Sequence, residues 1–349
     1  MTLSADDERD QLLRDALASV SGGRWSSAPY WFSPVGGGTQ AMVWHGFANQ
    51  LGAPEVAVRL TPKPAELIGR IASLVDSIDD VERPQTLAVT RLETGGRVWT
   101  VHVCTWIGKG AADRGNPHRL GQDIARLHQH MARDDRGGFS DRRLTFESGL
   151  VPAADQESPA WYVARHLWRD RILPRFADGQ AHLRSQPIHG DMHWDNVVAG
   201  SAGGGFGFID FDKVMHAPPV FDLAKLLATG FFRIGRDNDT VRFQQSRASD
   251  LLAGYQSIRP LTQAEIAAIE GFAVILNGET ARLGHVYDVA GYRDQADAVG
   301  RWWIARHRRK RQDPLGIRSA SRAPKPPQNT AEQLTFLLIE GYGDATNRP

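Results

Sequence analysis

The sequence predicts an α+β fold of two lobes: a small antiparallel-sheet lobe over residues 1–107 and a larger, mainly helical lobe over 108–349. Three observations carry that expectation. The first hundred-odd residues hold short β-branched and aromatic runs separated by glycine-containing turns. After "GKGAADRGN" (108–116) the apolar residues recur at helical spacing instead. At 349 residues the chain is long enough to bury two cores.

The elements follow in order. Ser4 and then Asp7 form a helix cap, and Leu12, Leu13, Ala16, Leu17 and Val20 repeat on one helical stripe. "YWFSPVGGGTQAMVWHGF" (30–47) reads as two strands around Gly36-Gly37-Gly38, and "EVAVRLTP" (55–62) as a third. "PAELIGRIASLV" (64–75) returns to helical spacing. "PQTLAVTRLETGGRVWTVHVCTWI" (84–107) is two more strands around a Glu-Thr-Gly-Gly turn. In the second lobe, Leu120, Ile124, Leu127 and Met131 share a stripe, and "SPAWYVARHLWRDRILPRF" (158–176) opens with a Ser158 cap and Pro159 in the first turn. "FGFID" (206–210) is a short apolar strand, and Thr262 with Glu265 forms a capping box before "IAAIEGFAVIL". "SRAPKPPQNT" (321–330) is a Pro-rich surface segment ahead of a last helix, "AEQLTFLLIEGY".

Composition narrows the function classes. The formal charge of +1 gives no overall attraction for nucleic acid, and the basic run "HRRKRQ" (307–312) reads as the solvated end of a helix. The single cysteine, Cys104, rules out an intramolecular disulfide and a cysteine-rich zinc site, and it fits a reducing, cytoplasmic setting. The acidic, amphipathic N-terminus does not have the form of a secretory signal, and no run has the length of a membrane span. Trp302 and Trp303 read as packing residues.

The chemistry concentrates in "IHGDMHWDNVV" (188–198) and the "FGFIDFDK" (206–213) that follows. Phosphoryl transfer needs a carboxylate to orient the attacking hydroxyl, oxygen donors for magnesium and a cation on the non-transferred phosphates. Asp191 and Asn196 place a carboxylate and an amide on one short loop, and Asp210 brings a second carboxylate at the end of an apolar strand. A loop whose Asp and Asn only cap a turn is the plainer reading of the first motif; the Asp-ended strand at the right interval favours the chemical one.

These two motifs, with "VFDLAKLL" (220–227), resemble the signature of the aminoglycoside phosphotransferase and choline kinase superfamily, relatives of the protein kinases. The resemblance is sharp over 188–227, ordered over about 30–130 and absent after 230. It implies a protein-kinase-like fold, ATP and Mg2+ as cofactors, Asp191 as catalytic base and His189 as a buttress of its loop. It makes Asn196 and Asp210 the metal ligands and Asp222 a structural acid, and it places Asp212 at a water-bridged position nearby. His193 and Asp195 are loop-shaping residues in this reading. Gly36, Gly37 and Gly38 would fold over the phosphates, and Arg59 would hold them where a kinase uses lysine, oriented by Glu66. Adenine would bond to backbone groups near Cys104 and Trp106. Two features depart from the protein-kinase pattern: no lysine stands at the phosphate position, and the glycine spacing differs.

The implied activity is transfer of the ATP γ-phosphate to a hydroxyl of a small molecule, an antibiotic or a sugar-like metabolite. From residue 213 onward Arg and Lys outnumber Asp and Glu, which points away from a polycationic acceptor. A bacterial stress-type protein Ser/Thr kinase and a catalytically inactive ATP-binding scaffold stand as alternatives. The preference for ATP over GTP and the oligomeric state are left open.

Overall fold

The structure is a computed structural model that describes residues 5–21, 30–35, 41–48, 54–107, 115–133, 138–139, 159, 183–200, 205–235, 241–286 and 290–312. The glycines at 36–38, the Ser4 cap, the rest of the helix expected at 158–176, the Pro-rich segment and the last helix expected at 331–342 lie outside these residues. The chain forms two compact units, Met1–Ala112 with Val197–Asp212, and Asp113–Asn196 with Lys213–Pro349. A single cut at residue 107 does not include the return of 197–212 to the first unit.

In the first unit, strands β1 (Tyr30–Val35), β2 (Met42–Ala48), β3 (Val56–Thr61), β4 (Thr86–Thr94) and β5 (Arg97–Thr105) build one antiparallel sheet in the order β1-β2-β3-β5-β4. Period-two alternation sorts its faces. Val56, Val58 and Leu60 of β3 are buried with Trp44, Val101 and Val103 beneath Leu13, Ala16 and Leu17 of helix α1 (Ala5–Ser21). Arg59 alternates with these residues and pairs across the sheet with Val43 and His102. The turn joining β4 to β5 places Gly95 and Gly96 at φ 57° and 70°, the left-handed pair that a tight hairpin requires and that glycine adopts without strain. Helix α2 (Ala65–Asp76) buries Ile68, Ile71, Ala72, Leu74 and Val75. Later in the chain, the hairpin of β7 (Val197–Ala199) and β8 (Phe206–Phe208) joins this unit, where Phe208 N–H donates to the Glu82 carbonyl at 3.0 Å. That bond sets the height at which β8 ends, and Asp210 follows two residues later.

In the second unit, helix α3 (Pro117–Met131) buries all of the predicted stripe, Leu120, Ile124, Leu127 and Met131. It packs against α5 (Gln245–Ile258) at close range because glycine faces backbone on both sides. A Cβ on Gly121 would lie 2.0 Å from the Leu251 carbonyl oxygen, and one on Gly254 only 1.8 Å from that of His118. Helix α4 (Val220–Gly230) packs on α6 (Gln263–Val286), and α6 on α7 (Ala290–Gln312). The predicted capping box forms: Glu265 N–H donates to Thr262 Oγ1 at 3.2 Å, and Thr262 N–H donates back to the Glu265 carboxylate at 2.9 Å. Trp302 packs its ring on Phe232 and Phe243 of the hairpin β10 (Phe232–Ile234) and β11 (Val241–Phe243), and Trp303 is buried. The backbone of 307–312 is the helical end of α7. Strands β6 (Gln186–Ile188) and β9 (Met215–Ala217) pair antiparallel. Among the described residues no helix is long and apolar enough to cross a membrane.

Among the described glycines of this unit the Gly254 contact is the tightest, and its opposing atom is backbone that cannot swing away. Gly254→Ala is expected to lower unfolding stability by about 1–3 kcal/mol through overpacking, read as a fall in urea midpoint at unchanged slope.

Candidate active site

The loop after β6 is held from below by a buried acid. Asp222, in the first turn of α4 and fully buried, accepts the His189 N–H at 3.0 Å and the Gly190 N–H at 2.9 Å. Its Oδ2 also lies 3.1 Å from His128 Nε2, and His128 Nδ1 lies 2.9 Å from the Tyr255 hydroxyl. A carboxylate only accepts, so His128 carries its proton on Nε2 and Nδ1 accepts from Tyr255. Burial keeps this chain in that state by lowering the pKa of His128 and raising that of Tyr255. Gly190 takes φ 79°, and a Cβ there would meet the Lys213 carbonyl oxygen at 2.1 Å, so the loop passes where only glycine fits. His189 is buried and its Nδ1 accepts the Asp191 N–H at 3.2 Å.

Asp191 is thereby presented with its carboxylate beside two lysines and a histidine. Lys225 Nζ contacts Oδ1, Lys213 Nζ lies 2.8 Å from Oδ2, and His193 Nε2 stands 3.8 Å from Oδ2, too far for a hydrogen bond. Burial alone would push this carboxyl up, but His193 and the charges of Lys225 and Lys213 outweigh it and hold the group well below the usual carboxylate range. Asn196 closes the same loop: its Nδ2 donates to the Asp191 carbonyl at 2.9 Å and lies 3.1 Å from His193 Nε2. With the amide nitrogen engaged, the amide oxygen is the atom that can serve a metal ion. Trp194 fixes the intervening turn by donating Nε1–H to the Gly230 carbonyl at 3.2 Å, while Asp195 is exposed.

The first unit carries a second acid–base cluster. Asp210 sits in the left-handed region at φ 62°, a strained conformation that a short polar side chain tolerates. Arg59 Nη2 donates to its Oδ1 at 2.9 Å and lies 2.7 Å from Asp212 Oδ2. Burial opposes the charge on Arg59, but Asp212 and Asp210 outweigh it and raise the guanidinium's pKa. Lys63 contacts the Asp212 carbonyl and stands 3.8 Å from its Oδ2. Thr100 holds this stretch by donating to the Lys63 carbonyl at 2.5 Å. Asp212 is thus a direct partner of both cations.

Three expected assignments meet a different geometry. Glu66 is exposed in the first turn of α2 and forms no ion pair with Arg59, because β8 brings Asp210 and Asp212 to the guanidinium instead. Cys104 lies in β5, paired on both edges by β3 and β4, and burial pushes its thiol up to about 12. Trp106 N–H already donates to the Glu55 carbonyl at 2.8 Å, and the Trp106 ring stacks on His45 at 3.8 Å. Lys63, Lys213 and Lys225 escaped the sequence reading. Only Lys225 left a local signal, three residues after Asp222 on the same helix face.

Taken each within its own unit, the Asn196 amide oxygen and the partly exposed Asp210 carboxylate are hard oxygen donors of the kind that magnesium takes. The low pKa of Asp191 has a sign that stability measurements can read. Its folded pKa lies below the unfolded value of about 4, so the carboxylate stabilises the fold above that pH and the benefit fades as pH falls through the folded pKa. Asp191→Asn is expected to be destabilised most above about pH 5, with the gap to wild type closing below about pH 4, in urea unfolding at stepped pH.

Known proteins resemble the chain in sequence and in fold. The homoserine kinase of Hyphomonas neptunium is 33% identical over 158 residues, covering 43% of this chain and 47% of that protein. The homoserine kinase of Chelativorans sp. is 29% identical over 229 residues, covering 64% of this chain and 59% of that protein. The matches thus span about half the length of these curated relatives. An amicoumacin kinase solved in complex with AMP-PNP and Ca2+ has the same fold, with TM-score 0.59 at 14% identity over 83% of this chain and 93% of that one. That likeness makes the α+β architecture kinase-like. The profile of the phosphotransferase enzyme family matches residues 42–261, a span that takes in Arg59, the Asp191 loop, Asp210 and the Asp222 helix, and the chain belongs to that family.

Proposed function

We propose that the protein transfers the γ-phosphate of ATP to a hydroxyl of a small metabolite, with Asp191 orienting that hydroxyl and accepting its proton. The observation that carries this reading is Asp191 itself: an ionised, largely buried carboxylate on a loop whose backbone is bonded to Asp222 and whose carbonyl at Asp191 accepts from the Asn196 amide. A scaffold that only bound nucleotide would have no need of a carboxylate kept ionised in this way.

Asn196 and Asp210 are the proposed magnesium donors, and His189 keeps the Asp191 N–H occupied. Magnesium, when bound, would offset the charge on the phosphates. Arg59, with Lys63 behind it, is the proposed cation for the non-transferred phosphates, exchanging part of its pairing with Asp210 and Asp212 for phosphate oxygens. The glycines at 36–38 remain the candidate phosphate cover, and backbone groups near Cys104 and Trp106 the candidate adenine contact. Such a reaction belongs in the cytoplasm, where ATP is supplied.

The two homoserine kinase relatives support a metabolite bearing a primary hydroxyl over an antibiotic as acceptor. The surplus of Lys and Arg from residue 213 onward disfavours a polycationic acceptor such as an aminoglycoside.

The test is transfer of label from γ-labelled ATP with magnesium to homoserine, glucose and an aminoglycoside in parallel. Label is expected on the metabolite class, homoserine first, and none on the aminoglycoside. Asp191→Ala is expected to lose about two to four orders of magnitude in transfer while still binding Mg·ATP. Asp210→Asn should weaken Mg·ATP binding, with partial recovery at higher magnesium or with manganese. Equal response of both variants to metal would contradict the roles given to them.

A further inference from the structure

The phosphotransferase reading gives Asp191 a task but gives none to the two lysines on its carboxylate. Lys225 reaches Oδ1 from α4, one turn beyond Asp222, and Lys213 reaches Oδ2 at 2.8 Å from the turn that follows Asp212. Both are placed by features already described. The Asp222 bonds fix the loop over α4, and the contact between Gly190 and the Lys213 carbonyl brings that residue's backbone against the same loop.

The charge count does not balance. One carboxylate with 9% side-chain exposure faces two ammonium groups, with side-chain exposures of 16% for Lys225 and 45% for Lys213. Among the described residues neither lysine has another ion-pair partner, so one positive charge is left over beside the reacting carboxylate. A surplus ammonium costs free energy in a half-buried position unless a counter-charge arrives. The arrangement is also poor for a base acting alone, since two cations hold the proton acceptor's affinity down. It suits a reaction in which negative charge is brought in and spread over phosphoryl oxygens while the hydroxyl proton leaves late.

We propose that Lys213 and Lys225 form an oxyanion subsite beside Asp191, which takes the transferring phosphoryl group or an acid group on the acceptor. Occupation of the subsite draws the ammoniums toward the incoming oxygens and frees Asp191 for the hydroxyl. Lys225, the less exposed and helix-borne of the two, is the fixed half of the pair; Lys213 is the adjustable half. The proposal rests on the phosphotransferase reading, and it adds that the acceptor side of the centre is built for negative charge.

The test uses the full chain as wild type and as Lys225→Met, Lys225→Arg, Lys213→Met and the double Met variant, each first checked for wild-type far-UV circular dichroism and a cooperative melt. Two ratios are then measured. The affinity of Mg·AMP-PNP relative to Mg·ADP reads a contact to the terminal phosphoryl group. The kcat/KM for transfer to homoserine relative to 3-amino-1-propanol, which lacks the carboxylate, reads a contact to an acceptor acid. The Met variants are expected to lower one of the two ratios by about tenfold or more, the double variant furthest, and Lys225→Arg to retain most of it. A fall in the first ratio assigns the subsite to phosphoryl, and a fall in the second assigns it to the acceptor. If folded Met variants keep both ratios within about twofold of wild type, the subsite does not exist. If wild type binds neither nucleotide with magnesium, the phosphotransferase reading itself fails, and the subsite with it.

Discussion

The second unit depends on one buried carboxylate. Asp222 has no access to water, so its charge must be met by donors inside the protein, and it finds them in the N–H groups of His189 and Gly190 and in His128. Leaving such a group without donors would cost far more than a typical hydrogen bond contributes. The same bonds therefore do two things at once: they satisfy the Asp222 carboxylate, and they fix the backbone of the loop that carries Asp191. His128 passes the constraint to α3, and Tyr255 passes it to α5, so the position of the reactive loop is set by the packing of three helices. The glycines at 121 and 254 belong to this arrangement, because they let α3 and α5 approach closely enough for His128 to reach Tyr255.

Each unit also sets cations against its own acids. In the second, Asp191 carries Lys213 and Lys225. In the first, Asp210 and Asp212 share Arg59, with Lys63 at the edge. In both clusters the carboxylates hold the cations that an anionic ligand would otherwise engage. Binding an anionic ligand then exchanges one set of charge-assisted bonds for another, which costs less than stripping a hydrated cation. The strained backbone at Asp210 fits this view, since the left-handed turn aims a carboxylate that a relaxed strand end would direct elsewhere.

Local features of the structure were legible in the sequence because burial writes itself as periodicity. The stripe from Leu120 to Met131, the Gly95-Gly96 turn and the Thr262–Glu265 box all depend on residues within a few positions of each other. The resemblance over 188–227 named Asp191, Asn196 and Asp222 for the same reason, as a compact motif. What the sequence could not show were pairings made by chain return. Arg59 meets Asp210 across 151 positions, and nothing near Arg59 distinguishes that partner from Glu66, which stands only seven residues away. Lys213 and Lys225 look like ordinary surface charges until Gly190 and Asp222 bring the loop to them. Trp106 was a natural candidate for a nucleotide contact, but strand pairing had already used its N–H.

The claim that Asp222 fixes the reactive loop is tested most directly by native-state amide hydrogen exchange at His189 and Gly190. Loop amides bonded to a buried carboxylate should exchange as slowly as the interior of α4, and in an Asp222→Asn variant they should become fast while α3 and α5 stay protected. Exchange of His189 and Gly190 at the rate of exposed loop amides in the wild-type protein would contradict the account.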